Sequence, residues 1–250
     1  MAGSSDGRPQ RRAIHVLPDR LRQRPGDGRE AASRRDALMA DPDPRLFAPA
    51  TERNRDPILA VLTRMLAPRD GAAALDGDVL EIASGTGQHV AFFAARLPGL
   101  RFQPSDPDPA NRTSIAAWVA EAGLANVRAP LALDVMDEPW PIAHPVGAIL
   151  CINMIHIAPW AATPALMRGA ARCLPPGALL YLYGPFMREG RHTAPSNAAF
   201  DADLRARDPR WGVRALEQVR DIAHASGLAL DEVVEMPANN LSILFRRVHA

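Results

Sequence analysis

The sequence predicts a three-layer α/β sandwich built on a mostly parallel seven-stranded sheet whose last strand is antiparallel. Three observations predict it. Apolar runs of strand length alternate with amphipathic helical patterns along most of the chain. The first run, Val79-Leu80-Glu81-Ile82, breaks into Ser84-Gly85-Thr86-Gly87 and resumes as a helical pattern from His89 to Leu97. That is the strand, glycine turn and helix of a doubly wound sheet. The last two runs, Leu228 to Met236 and Leu241 to Phe245, are separated only by Pro237-Ala238-Asn239-Asn240. So short a link cannot hold a parallel crossover, and this pair is antiparallel.

The 250 residues suffice for one domain of ordinary size and a tail. A net charge of +1 gives no global case for nucleic-acid binding. Cys151 and Cys173 lie in apolar contexts and read as buried free thiols rather than a disulfide scaffold. No metal site is expected. No apolar run approaches the ~18 residues that span a bilayer, and residues 1–30 lack the apolar stretch of a secretory signal. The expectation is a soluble cytoplasmic protein. Residues 1–44 are polar and arginine-rich and cannot bury enough apolar surface to order themselves, so they read as a disordered basic tail. A nucleic-acid-touching arm, or an upstream extension with Met39 as the true start, are the alternatives.

Ile58, Val61, Leu62, Met65 and Leu66 then follow the i, i+3, i+4, i+7, i+8 spacing of an amphipathic helix. Pro57 suits its first turn and Asp56 its N-cap; an earlier turn carrying Arg53 and Asn54 is the alternative. Pro68, Asp70 and Gly71 end it. The helix after the glycine corner stops at Pro98-Gly99, and Leu100 to Asp106 is a short strand ending in an acid. Asp108 caps a helix from Asn111 to Ala122 that ends at Gly123. Val127 to Leu133 holds a third strand, with Asp134-Val135 behind it. Val146 to Ile152 is a continuous apolar run, a central parallel strand, ending at Asn153-Met154-Ile155-His156. A helix with Leu166, Ala170 and Leu174 inward leads to a fifth strand, Ala178 to Tyr183. Gly184 to His192 reads as a loop, Ser196 to Arg207 as a short helix and Pro209 to Gly212 as a turn. This insert at about 184–212 reads as a lid or substrate loop. Leu216, Val219 and Ala223 mark a last helix closed by Gly227. The whole is Rossmann-like.

Ligands of such sheets bind outside the carboxyl ends of the strands, where Gly85, Gly87, Asp106, Asp134 and Asn153 all fall. Asp106 lies about 20 residues past the glycine turn, the spacing at which a carboxylate holds ribose hydroxyls; a turn aspartate is the plain alternative. A dinucleotide fingerprint needs a third small residue, and Val90 stands there, which argues against a nicotinamide oxidoreductase. Glu81, acidic within an apolar strand, suits a ligand carrying positive charge.

Glu81-Ile82-Ala83-Ser84-Gly85-Thr86-Gly87 resembles the first motif of the class I S-adenosylmethionine-dependent methyltransferases. Asp106, Leu133-Asp134-Val135, the strand ending at Asn153, the turn Leu174-Pro175-Pro176-Gly177 and the antiparallel last pair match later features of that superfamily. Ala48-Pro49-Ala50-Thr51-Glu52-Arg53-Asn54 with Pro57-Ile58, followed by Glu81 to His89, is similar to an uncharacterised family that includes methyltransferase-like protein twenty-six. The resemblance covers roughly Leu46 to Arg247. Ala83 departs from it, since many superfamily members have glycine there.

The resemblance implies a single methyltransferase-like domain over residues 45–250, S-adenosylmethionine as cofactor, and in-line methyl transfer to an unidentified small-molecule acceptor. It implies that the motif from Glu81 through Ala83, Ser84, Gly85, Thr86 and Gly87 underlies the methionine part, with Glu81 balancing its ammonium. Asp106 would take both ribose hydroxyls, Asp134 the adenine amino group and Val135 the ring face. Asn153 and Met154 would line the sulfonium side, Arg53 could pair with the carboxylate, and His89 could touch the ligand. If a base is needed, His156, Tyr183 and His192 are candidates, each equally readable as a structural hydrogen-bonder. Asn153 is not followed by Pro-Pro-Tyr or Pro-Pro-Phe, the pattern of enzymes that methylate base amines. A cofactor-binding module without methyl transfer is the rival reading.

Overall fold

A computed structural model describes residues 43–67, 75 and 77–248. The expectations for the N-terminal tail, for a start at Met39 and for the helix stop at Pro68 to Gly71 therefore lie outside the described residues, apart from Asp43 and Pro44.

The first helix, α1 (Pro49–Leu66), begins at Pro49 with Ala48 as N-cap, so the earlier turn carrying Arg53 and Asn54 is part of it and Asp56 is not its cap. Pro57 falls inside it, where it has no N–H for the Arg53 carbonyl. One buried stripe, Thr51, Asn54, Ile58, Val61, Leu62 and Met65, runs through the proline. Full burial of Ile58 and Leu62 contributes about 1.5–3 kcal/mol each, enough to offset the ~3 kcal/mol that an interior proline costs.

The main sheet holds β1 (Asp78–Ile82), β2 (Phe102–Pro104), β3 (Val146–Ile152), β4 (Leu179–Gly184), β8 (Leu228–Met236) and β9 (Asn240–Arg247), in the order β2-β1-β3-β4-β9-β8. The first four are parallel, and β9 is antiparallel to both of its neighbours. Among the described residues this sheet has six strands, where seven were expected. The segment Val127 to Leu133 lies along β2 but makes only two isolated bridges, Phe102 with Val127 and Ser105 with Leu131. Pro130 in that segment and Pro104 on β2 have no N–H to continue a ladder.

Helices α2 (Gln88–Arg96) and α3 (Pro109–Glu121) join α1 on one sheet face. Ile58, Phe93 and Ile115 pack there on Val79, Leu150 and Tyr181. Helices α4 (Ala162–Cys173) and α6 (Leu216–Ala225) cover the other, where Leu166 and Val219 pack on Ile82, Cys151 and Ile243. Asp108 caps α3 by accepting from Ala110 N at 2.8 Å, and Gly123 follows with φ +61°. Cys151 is buried, Cys173 is half-buried, and both are free. Among the described residues no helix is long and apolar enough to cross a membrane.

The insert is more ordered than the expected loop. β5 (Phe186–Arg188) and β6 (Arg191–His192) form a hairpin, and β7 (Arg214–Ala215) adds parallel to β5. Glu189 and Gly190, the two-residue connection, both have positive φ, which matches the twist of the flanking strands. Helix α5 (Pro195–Arg207) lies between β6 and β7 in the chain. The insert is tied to the end of β3 through backbone carbonyls. Gly212 N donates to His156 O at 2.9 Å, and Arg214 donates to Ile155 O at 2.9 Å and Ala158 O at 2.7 Å.

Replacing Pro57 by Ala restores the donor for Arg53 O and should raise unfolding free energy by about 2 kcal/mol in urea titration. An unchanged or lower midpoint would show that the proline costs this helix nothing.

Candidate functional site

The corner after β1 is built from strained and glycine backbone in alternation. Ala83 has φ +53°, a left-handed conformation that disfavours any side chain, so the alanine that stands for glycine here carries strain. Gly85 (φ +56°) faces open space where a Cβ would lie. Gly87 (φ +87°) does not: a Cβ there would come 2.6 Å from Ile115 Cα. Gly85 therefore leaves room for a ligand, while Gly87 lets α3 pack against the start of α2.

Side chains distant in sequence hold the corner in place. Ser84 N donates to Ser105 O at 2.8 Å, and the Ser105 hydroxyl donates to Glu81 O at 2.8 Å. Gln88 Oε1 accepts from Ala48 N at 2.6 Å and from the Thr86 hydroxyl at 3.0 Å. The Ser114 hydroxyl accepts from Leu46 N and donates to Thr86 O, each at 2.7 Å. Gln88, Ser105 and Ser114 were not among the expected residues. Their sequence neighbourhoods are ordinary, and only partners on other elements give them a role.

Asp106 is buried and ties two loops together. Its Oδ2 accepts from Gly85 N at 2.9 Å, and its Oδ1 accepts from Asp108 N at 3.0 Å and Asn111 Nδ2 at 3.1 Å. Glu81 is 2 % exposed, and its Oε2 has no hydrogen-bond partner. Burial pushes this carboxyl up to about 8; Ser84 opposes the shift and the Asp106 charge adds to it.

The remaining expected residues divide. Asp134 is exposed and accepts from Met136 N at 2.9 Å in a turn. Val135 and Met154 are buried in the apolar cluster on the α4 face, so they offer a ligand little surface. Asn153 (φ +63°) opens the turn after β3, and its N–H donates to Tyr183 O at 2.8 Å. Arg53 is exposed, with no ion pair among the described residues. His89 meets Asn54 on α1, its Nε2 2.8 Å from Asn54 Oδ1.

Of the three candidate bases, His156 is fully buried against Phe186, and neither ring nitrogen has a partner. Burial, and then the nearby Arg214, lower it to about 3, so it takes no proton near neutrality. Tyr183 is buried, which raises its phenol and keeps it protonated. His192 lies in the insert with Nε2 3.6 Å from Asp201 Oδ2. The structure thus gathers the β1 corner, Asp106, His89 and Tyr183 at the carboxyl edge of the sheet, and sets His156 beneath the insert.

Two substitutions in the corner should act in opposite directions. Gly87→Ala should cost about 2–4 kcal/mol, through unfavourable φ and collision with the α3 backbone. Ala83→Gly should stabilise by about 0.5–1 kcal/mol by relieving strain; chemical denaturation of the pair checks both signs. Glu81 makes stability depend on pH. Below about 4.5 the carboxyl is protonated in both states, and above about 8 it is ionised in both. Between them only the folded state holds the proton, so stability falls by up to about 1.4 kcal/mol per pH unit as pH rises. Glu81→Gln should remove that slope in denaturation curves taken from pH 5 to 8.

Solved structures with this fold include the S-adenosylmethionine-dependent methyltransferase SibL in apo form. It has TM-score 0.65 and 20% identity, over 80% of this chain and 56% of that one. The mitomycin 7-O-methyltransferase MmcR has TM-score 0.66 and 18% identity, over 88% and 59%. Human N-acetylserotonin methyltransferase in complex with S-adenosylmethionine has TM-score 0.63 and 13% identity, over 80% and 53%. The chain spans a little more than half the length of these proteins, and the likeness is one of fold. The sequence model of the family described as "Protein of unknown function (DUF938)" matches residues 45–247, and the chain belongs to that family.

Proposed function

We infer that this chain is an S-adenosylmethionine-dependent methyltransferase acting on a small-molecule acceptor. One observation carries the reading: a buried carboxyl, Glu81, with an unpartnered oxygen, directly beneath a glycine corner in a fold shared with solved methyltransferases. An orphaned buried oxygen is complementary to a cationic N–H group. The open side of Gly85 supports it, because a ligand can approach the backbone there. The fold similarity to enzymes named for oxygen methylation of small molecules favours that acceptor class.

The residues present fit the cofactor. Glu81 would face its ammonium and Arg53 its carboxylate. Asp106 already receives three donors, and a carboxylate accepts about four, so it would hold one ribose hydroxyl rather than two. Asp134 Oδ2 would be left for the adenine amino group. When bound, the cofactor supplies a methyl group already activated on a sulfonium. The protein's own residues then have to align the acceptor and exclude water. The low value at His156 and the protonated Tyr183 leave His192, on the insert, as the candidate to take a proton from the acceptor.

Titration calorimetry should show binding of S-adenosylmethionine and none of NAD. At pH 7 the free protein holds the Glu81 proton, and a cationic ligand ionises the carboxyl. Binding should therefore release up to about one proton, seen by comparing buffers of different ionisation enthalpy. Glu81→Gln should abolish the release and weaken binding by ~10-fold or more. Incubation with labelled cofactor and small-molecule extract should transfer label. Tight binding with no transfer to any fraction would favour a binding module.

A further inference from the structure

One cation joins the insert to the turn after β3. Arg214, on β7, donates from Nε to Ile155 O at 2.9 Å, and from Nη2 to Ala158 O at 2.7 Å and Arg210 O at 2.9 Å. Every one of these acceptors is a backbone carbonyl. The side chain is half-buried. Burial, then the Arg205 charge, push its guanidinium down from the ordinary value, and Asp201 opposes them; a guanidinium stays charged all the same. The nearby carboxylates of the insert are engaged elsewhere. Asp201 accepts from Arg205 Nε at 2.9 Å and from Val213 N at 2.6 Å, and Asp208 accepts from Arg210 Nη2 at 2.7 Å. Among the described residues Arg214 has no ion pair. A tie to three carbonyls needs donors and no charge, and a half-buried charge without a counterion costs free energy that neutral donors would not. Nη1 makes no hydrogen bond within the protein and is not enclosed by it, so its hydrogens face solvent.

Aromatic surface lies around this free corner. The Arg214 guanidinium stands over the Trp160 ring, 5.4 Å from its centroid. Arg207, exposed at the end of α5, stands over Trp211 at 5.2 Å and has no ion pair among the described residues. Asp203, one turn earlier on α5, is exposed and has none either. Trp211 lies between Arg210, whose carbonyl Arg214 binds, and Gly212, whose N–H donates to His156 O at 2.9 Å. Both indoles are half-exposed, and Ile157, in the same turn as Trp160, is 44% exposed. A guanidinium stacked on a ring keeps its in-plane N–H groups for an oxyanion. These segments leave the carboxyl ends of β3 and β4, the edge at which ligands of such sheets bind.

We propose that Arg214 selects an acidic acceptor: Trp160, Trp211, Arg207 and Arg214 take a small molecule with a flat apolar body and a carboxylate, and the carboxylate meets Arg214 Nη1. Arg214 is a specificity residue and has no part in the transfer itself. This rests on the methyltransferase reading and names its acceptor class.

The test separates a small-molecule extract at pH 7 on an anion exchanger and offers each fraction to the full chain with methyl-labelled S-adenosylmethionine. Label should enter the retained, acidic fraction. Label entering the unretained fraction to an equal or greater extent overturns the proposal and leaves the methyltransferase reading standing; label entering neither overturns both. Loss of the acceptor after phosphatase treatment of the retained fraction assigns a phosphate and overturns the carboxylate. Arg214→Met should raise the half-saturating amount of that fraction by ~10-fold or more and leave S-adenosylmethionine affinity, read by calorimetry, within about 2-fold. An unchanged half-saturation in that variant overturns the proposal. Arg207→Glu changes an exposed side chain that folding does not use, so it reports even if Arg214→Met fails to fold. It should raise half-saturation by ~3-fold, and added salt should raise it in the wild type. No response to either overturns the proposal.

Discussion

A carboxyl group on an interior strand of a parallel sheet is the constraint around which the structure is arranged. Glu81 sits on β1, between β2 and β3, where water cannot reach it. Left ionised and unpaired there, it would cost several kcal/mol, so in the free protein it holds its proton near neutrality. Its own strand carbonyl is satisfied by Ser105 and Ser84, which leaves the side chain as the unmet group. The protein thus carries a polar demand at one point that folding does not meet. A sequence selected for stability alone would have placed an apolar residue there.

Around that point the backbone is held by side chains reaching across the fold. Gln88 and Ser114 draw the segment from Leu46 to Ala48 over the glycine corner, and Asp106 clips the corner to the end of β2. Phe47 packs edge-on against Trp118, whose Nε1 donates to Leu46 O. The corner is therefore a rigid platform, and its strain at Ala83 is sustained by these bonds. Rigidity of this kind orders a site before its ligand arrives and lowers the entropy lost on binding.

Much of this was legible in the residues because it is local. The glycine corner, the uniformly apolar β3, the Asp108 cap with Gly123 beyond α3, and the antiparallel last pair each follow from a few adjacent residues. What was not legible depends on partners far along the chain. The earlier turn carrying Arg53 and Asn54 was open in the sequence as an alternative, but that the helix reaches back to Pro49 through Pro57 follows from the buried stripe and not from local propensity. Gly87 looked like part of a ligand loop, yet Ile115 on α3 is what excludes a side chain there. Gln88 gained its role from Ala48, and Ser105 from Glu81, pairings that no spacing announces. His156 stood in a suggestive place beside Asn153, and only the insert above it shows that it is sealed off.

The sheet edge at β2 has a consequence for how the protein behaves at high concentration. A bare strand edge is a template onto which another chain can add, the first step of many aggregates. Here the segment from Val127 to Leu131 covers β2 without becoming a strand, and Pro130 interrupts its donors. A neighbouring molecule would meet an irregular, partly donor-free surface instead of a ladder. The prolines that interrupt the ladder beside β2 also guard that side against edge-to-edge association.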